Sequence, residues 1–171
     1  MEYLDVIDEY GNYTGEVMER DKIHELNILH YEIGVFVINK NKEVLLQKRS
    51  ANKKINPNKW GLCAGHVDSG EDIDTAAIRE LNEEIGLNVS LNELNILEKM
   101  EVKKQESNSH IKRYYYVYCN DESFKIQKEE LSEVKWFKID DIIDRINNND
   151  DTLTLKSDRL YLLERLKKLN P

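Results

Sequence analysis

The segment from Glu71 to Ile85 constrains this chain more than any other. Ile73, Ala77, Leu81 and Ile85 recur every four residues, which predicts a helix with one apolar stripe that must be covered by other elements. Asp68 or Ser69 is placed to cap its start, and Gly86 to end it. On the polar side, Glu80 and Glu84 fall one turn apart with Glu83 beside them. Like charges this close disfavour a fold unless something positive sits among them. Hard divalent cations such as Mg²⁺ take oxygen ligands, and the apolar stripe holds these carboxylates on a rigid element. A lone Glu-Glu pair would read as a solvated face.

The rest of the chain alternates strand-like and polar stretches. Tyr3 to Val17 predicts two short strands around Glu9-Tyr10-Gly11-Asn12, and Met18 to Leu29 has room for a helical turn. Tyr31 to Ile38 and Glu43 to Arg49 predict a hairpin across Asn39-Lys40-Asn41-Lys42. Ser50 to Lys59 reads as a polar loop, and Trp60 to Val67 as one short strand entering a turn. Leu94 to Lys103 and Ile111 to Cys119 predict strands flanking a polar loop. Val134 to Phe137 predicts a strand, Asp140 to Ile146 a short helix, and Leu155 to Leu169 a terminal amphipathic helix. With no repeat and no linker, residues 1–171 are expected to form one domain: an extension over 1–29, a core over 30–150, and a C-terminal helix within 151–171. The pattern suggests a mixed sheet covered by helices.

A chain of 171 residues can bury a real core. Its longest apolar runs, Gly34 to Ile38 and Val44 to Leu46, are strand-length, so no membrane span is expected. The first residues lack a basic region followed by an apolar one, and Cys63 and Cys119 form no CxxC pair. A cytoplasmic protein without a disulfide framework is expected. The net charge of −8 argues against nucleic acid as a partner. The same charge would repel an anionic substrate, a difficulty that a bound divalent cation answers locally.

The order Gly65-x5-Glu71-x7-Arg79-Glu80-Leu81-Asn82-Glu83-Glu84-Ile85-Gly86-Leu87 resembles the Nudix box, G-x5-E-x7-R-E-U-x-E-E-x-G-U with U a bulky aliphatic, and every specified position is filled. The resemblance implies an α/β/α sandwich with a mixed sheet, here with an N-terminal β-hairpin extension and a C-terminal helix. It implies a metal site over residues 65–87 that takes Mg²⁺, or Mn²⁺ in its place. By that resemblance Glu80, Glu83 and Glu84 are the metal ligands, and Gly65 brings a backbone carbonyl close to the ion. Arg79 orients the glutamates, with Glu71 as its partner. The implied reaction is attack by water on phosphorus in a P–O–P bridge of a small-molecule diphosphate, with Glu83 or Glu80 as base. In other members the base comes from a later loop, where Glu129, Glu130 and Glu133 are candidates here. A homodimer is compatible with this reading.

Outside the box, Asp8-x2-Gly11-x3-Gly15, Arg20, His24, His30, Gln47-Lys48-Arg49-Ser50, Lys53, Pro57, Trp60 and Ala64-Gly65-His66 resemble the branch that holds isopentenyl diphosphate isomerase and isomerase-like hydrolases. True isomerases carry a catalytic cysteine directly before the Gly-His pair, where this chain has Ala64. Cys63 lies one residue earlier, on the opposite face of an extended segment, and is expected to be a buried thiol without a part in turnover. The isomerases' Glu-x-Glu pair on a later strand also has no counterpart in His110 to Tyr115. His66 matches one of their metal-binding positions and His24 and His30 fall near others, yet each is read singly as structural or hydrogen-bonding. Lys48, Arg49, Lys53, Lys54 and Lys59 are candidate phosphate contacts, with Arg49, Lys53, Lys59 and His66 taken as substrate-binding. Three functions follow in order: a Mg²⁺-dependent hydrolase of nucleoside diphosphate derivatives or other small organic diphosphates, an isopentenyl-diphosphate isomerase, and an inactive Nudix binding module.

Overall fold

In the computed structural model, residues 1–103 and 108–170 are described. Residues 104–107, in the middle of the polar loop expected after Lys103, lie outside them. The chain opens with an antiparallel hairpin, β1 (Tyr3–Ile7) and β2 (Tyr13–Glu19). Its turn is closed by Asp8, whose carboxylate accepts from the backbone N–H groups of Tyr10 and Asn12. A short helix α1 (Arg20–Glu25) follows.

The main sheet centres on β3 (His30–Ile38), every residue of which is buried. One of its edges pairs in parallel with β8 (His110–Tyr118), which pairs antiparallel with β7 (Asn95–Lys103). The other edge is shared. Only Ile38 pairs with β4 (Glu43–Arg49), through Val44, while Glu32 to Val35 pair with β6 (Cys63–His66). Beyond the turn, β4 splays away to pair with β9 (Leu131–Lys138) and with β5 (Trp60–Gly61). The expected hairpin is therefore paired only at its tip. The single strand expected over Trp60 to Val67 is broken at Leu62, because Trp60 and Gly61 follow β4 whereas Cys63 to His66 follow β3.

The alternation of a strand assigns its side chains to two cores. Ile33, Val35 and Val37 of β3 join Ala76, Ala77, Leu81 and Ile85 of α2 (Ile73–Ile85) on one face. Phe36 and Ile38 join Ile139, Ile142 and Ile146 of α3 (Ile139–Asn147) and Leu162, Leu163 and Leu166 of α4 (Leu160–Lys167) on the other. A mixed sheet between helix layers is the α/β/α sandwich that the resemblance implied.

Two helix boundaries differ from expectation. The cap of α2 is Asp72, whose carboxylate accepts from the N–H groups of Asp74 and Thr75. Asp68 and Ser69 are held instead by the N-terminal hairpin: Leu4 bridges Asp68, and Ser69 donates its N–H to the Tyr3 carbonyl. Gly86 ends α2 in the left-handed region at φ 70°, as its position predicted. The terminal helix starts at Leu160 rather than Leu155. Residues 152–154 run beside β5, exchanging backbone hydrogen bonds with Trp60, and Leu155 enters the core outside any helix.

Candidate active site

The Cβ direction of a helix places Glu80, Glu83 and Glu84 of α2 over the edge strand β6. All three line a pocket of about 390 Å³, together with Ala64, Gly65 and His66. Arg79 organises the carboxylates. Its Nε and Nη2 donate to the two oxygens of Glu71 at 2.9 Å each, a bidentate pairing. Its Nη1 donates to Glu80 at 2.8 Å and to Glu83 at 3.2 Å, and Nη2 also reaches the His66 carbonyl at 3.1 Å. The hydrogen bonds to Glu71, which outweigh the burial of the guanidinium, hold it firmly protonated. Gly65 leaves room for this arrangement, since a Cβ there would stand 2.2 Å from Oε1 of Glu80.

Glu84 is the most deeply placed of the three, at 7% exposure. It accepts a hydrogen bond of 2.6 Å from Gln47 Nε2 of β4, and the buried Cys63 thiol of β6 lies beside it. Burial raises the Glu84 carboxyl, and burial with the neighbouring Glu84 charge pushes Glu80 up to about 8. A single guanidinium does not neutralise this set, so the site suits a divalent cation by its excess of clustered oxygen donors.

The raised Glu80 carboxyl makes a prediction for the metal-free protein. Its folded value lies above the ordinary 4.5, so the folded state binds the proton more tightly. The resulting stability is complete below pH 4.5 and is lost as pH rises through about 8. Burial lowers His24 and His110, which contribute in the opposite sense at mildly acid pH. Thermal melts of wild type and Glu80→Gln in EDTA between pH 5 and 8 therefore isolate the carboxyl: the wild type should lose stability relative to the variant as pH rises. Parallel curves would show that Glu80 keeps an ordinary affinity for its proton.

The remaining predicted residues divide. Arg49, Lys53 and Glu130 line the same pocket, and Lys53 Nζ pairs with Glu130 Oε1 at 2.7 Å. Lys59 does not line it. Its backbone closes the loop, giving its carbonyl to the Arg49 N–H just before β5. Lys48 lies over the Trp60 ring, while Lys54, Glu129 and Glu133 are exposed outside the pocket lining. Glu2, Arg20, Asp68 and Gln127 line the pocket without having been assigned to it from sequence. Glu2 arrives on the N-terminal hairpin, whose docking no local pattern encodes.

The histidines, read singly as structural, come together. Ring nitrogens of His24, His30 and His66 lie within 4.8 Å of one another. The Nε2 atoms of His24 and His30 are buried without a hydrogen-bond partner. Glu32 of β3 adds a carboxylate, 3.6 Å from His30 Nε2 and 3.7 Å from His66 Nε2. Lys112 Nζ pairs with that carboxylate at 3.3 Å. Burial opposes the Glu32 charge, but Lys112 and the imidazoles around it hold the carboxyl well below the usual range. Glu32 had no signal in sequence, because its meeting with His66 depends on the pairing of β3 with β6.

Cys63 is buried and Ala64 lines the pocket, the opposite orientations that the strand predicts. Burial raises the thiol well above its ordinary range. The expectation of a buried thiol holds, and that thiol lies beside Glu84. Across from Ala64 stands Gly34, and a Cβ there would lie 2.9 Å from the Tyr114 ring and 3.1 Å from Lys112 Cε, so that face is already filled.

Comparison with known proteins agrees with this geometry. A family model described as NUDIX domain matches residues 28–156. An isopentenyl-diphosphate Delta-isomerase of Aliivibrio fischeri is 31% identical over 99% of this chain and 99% of its own. An RNA pyrophosphohydrolase of Pelagibacter ubique is 35% identical over 67% of this chain and 79% of its own. Among solved structures, DR0079 of Deinococcus radiodurans superposes with a TM-score of 0.77 at 22% identity, covering 98% of this chain and 100% of that one. The complete box, the Arg79-ordered carboxylates and the match across the core together place this chain in the Nudix family.

Proposed function

We propose that this protein is a Mg²⁺-dependent hydrolase that splits the P–O–P link of a nucleoside diphosphate derivative or another small organic diphosphate. The observation that carries the reading is one pocket shared by Glu80 and Glu83, ordered through Arg79, by Glu84, and by the cationic side chains of Arg49 and Lys53. Glu80, Glu83 and Glu84, with the carbonyl of Gly65, are the residues that would hold Mg²⁺, and Mn²⁺ would serve in its place. The bound ion supplies Lewis acidity that polarises phosphoryl oxygens and eases deprotonation of water.

The chain's own groups supply the rest. The Arg49 guanidinium and Lys53 ammonium bind phosphate oxygens. Once Lys53 turns to phosphate, the Glu130 carboxylate it held is free to accept a proton from water; Glu83 and Glu80 are the other bases within the pocket. Water oxygen bonds to phosphorus, the bridging oxygen leaves with the departing phosphate, and the proton passes to the carboxylate.

A second reading, isomerisation of isopentenyl diphosphate, is favoured by the cluster of His24, His30 and His66 beside Glu32. Against it stand Ala64 in the cysteine position, the Lys112 charge on Glu32, and the filled face over Gly34. The two readings separate in a screen of nucleotides, nucleotide sugars, dinucleotides and prenyl diphosphates with Mg²⁺ in water that carries both heavy oxygen and deuterium. Hydrolysis releases phosphate-ended products and puts labelled oxygen into one of them. Isomerisation leaves the diphosphate whole and exchanges hydrogen at the allylic carbon. Allylic exchange without product release would replace the first reading by the second.

A further inference from the structure

The splaying of β4 away from β3 opens the sheet beside α2. The pair Ile38 and Val44 is the only one that joins the two strands. Beyond it, Gln47 of β4 pairs with Gly61 and Val134, and Cys63 of β6 pairs with Val35. These two side chains, 5% and 3% exposed, converge from the separated strands on the carboxylate of Glu84. Arg79 does not hydrogen-bond Glu84; its donors are spent on Glu71, Glu80, Glu83 and the His66 carbonyl.

We propose that Gln47 and Cys63 are positioning residues that fix the Glu84 carboxylate for the cation, forming a second orienting system independent of Arg79. This rests on the reading of Glu84 as a metal ligand. A buried carboxylate has about four acceptor directions to satisfy. The Gln47 amide takes one of them on Oε2 at 2.6 Å, and the Cys63 thiol beside the same group is placed to take another. Both donors are neutral, so they set the orientation of the carboxylate without cancelling the charge that a cation needs. A guanidinium in the same place would compete with the ion. Gln127 completes the hold by donating its backbone N–H to the Glu84 carbonyl at 2.9 Å, tying the end of α2 to the loop that carries Glu130. Partners of this kind act through the ligand they hold, and their loss typically weakens metal binding by about 10- to 100-fold.

The test compares Gln47→Leu, Cys63→Ala, Cys63→Ser and Glu84→Gln in the full chain. Mn²⁺ affinity is read from the electron paramagnetic resonance of free ion, beside the half-activating Mg²⁺ concentration, kcat, KM and melting in EDTA. Gln47→Leu should weaken Mn²⁺ binding about tenfold or more and raise half-activating Mg²⁺ in step, with substrate KM at saturating Mg²⁺ within about twofold. Cys63→Ala should weaken binding in the same direction, and Cys63→Ser, which keeps a donor, should restore it. If Gln47→Leu fails to fold, the serine and alanine pair at Cys63 decides the matter on the same carboxylate. Wild-type Mn²⁺ affinity in Gln47→Leu, or equal affinity in Cys63→Ala and Cys63→Ser, overturns the proposal. Undiminished Mn²⁺ binding by Glu84→Gln would instead overturn the metal-ligand reading beneath it.

Discussion

Glu84→Gln, and equally Glu80→Gln, is expected to lower Mg²⁺-dependent diphosphate hydrolysis by about a thousandfold while leaving the metal-free fold intact. On the proposed function, the loss follows from removing part of a cation's ligand set. That set supplies several kcal/mol to the transition state, and about 1.4 kcal/mol corresponds to tenfold in rate. Stability without metal should stay level or rise, because both carboxyls are buried among like charges that raise them, Glu80 to about 8. An amide of the same shape removes that repulsion, and at position 84 it still offers an oxygen to Gln47. Steady-state rates with Mg²⁺, beside thermal melts in EDTA, separate the two effects. A drop in metal-free stability larger than about 2 kcal/mol in either variant would assign the residue to the fold rather than to the chemistry.

Gly65→Ala should approach the same loss of activity by moving a ligand rather than removing one. The new Cβ would stand 2.2 Å from Oε1 and 2.3 Å from Cδ of Glu80, so the carboxylate must leave its place beside Arg79 Nη1. The displaced atoms end a side chain that borders an open pocket, so stability should fall by only about 1 kcal/mol, the low end for overpacking. Activity should fall by about 100-fold or more, the scale of misplacing a catalytic group by about an ångström. Gly34→Ala supplies the contrast. Its Cβ would press on the ring of Tyr114, 2% exposed, and on Lys112. It should cost stability, about 1–3 kcal/mol, more than turnover per folded molecule. Equal effects of the two substitutions on activity would show that the steric argument at Gly65 does not distinguish the site from the core.

The helix of this site was legible in the chain because its determinants are local. Ile73, Ala77, Leu81 and Ile85 mark one face by their period, the glutamates mark the other, and Gly86 ends the helix in a left-handed conformation that glycine adopts without strain. The strands were legible for the same reason, as alternation and β-rich composition are properties of a few consecutive residues. Boundaries failed where a distant partner intervened. Asp68 and Ser69 have the chemistry of caps, but β1 claims them, and Asp72 takes the role. Leu155 continues a helical apolar spacing, but residues 152–154 are bound beside β5.

The sequence alone determined the group of carboxylates on α2 by spacing within one segment, and the resemblance of that segment pointed to the family and to the α/β/α class it implies. Only the tertiary structure decided what meets those carboxylates. Gln47 and Cys63 reach Glu84 because β4 and β6 follow different neighbours. Glu32 reaches the histidines because β3 pairs with β6 and β8 in one register, and Lys59 stands outside the pocket that Lys53 lines because of how one loop closes. The physical reason is the same throughout. Periodicity encodes which face a residue occupies, whereas contacts between faces depend on strand order and register, which many sequence-distant pairings decide together.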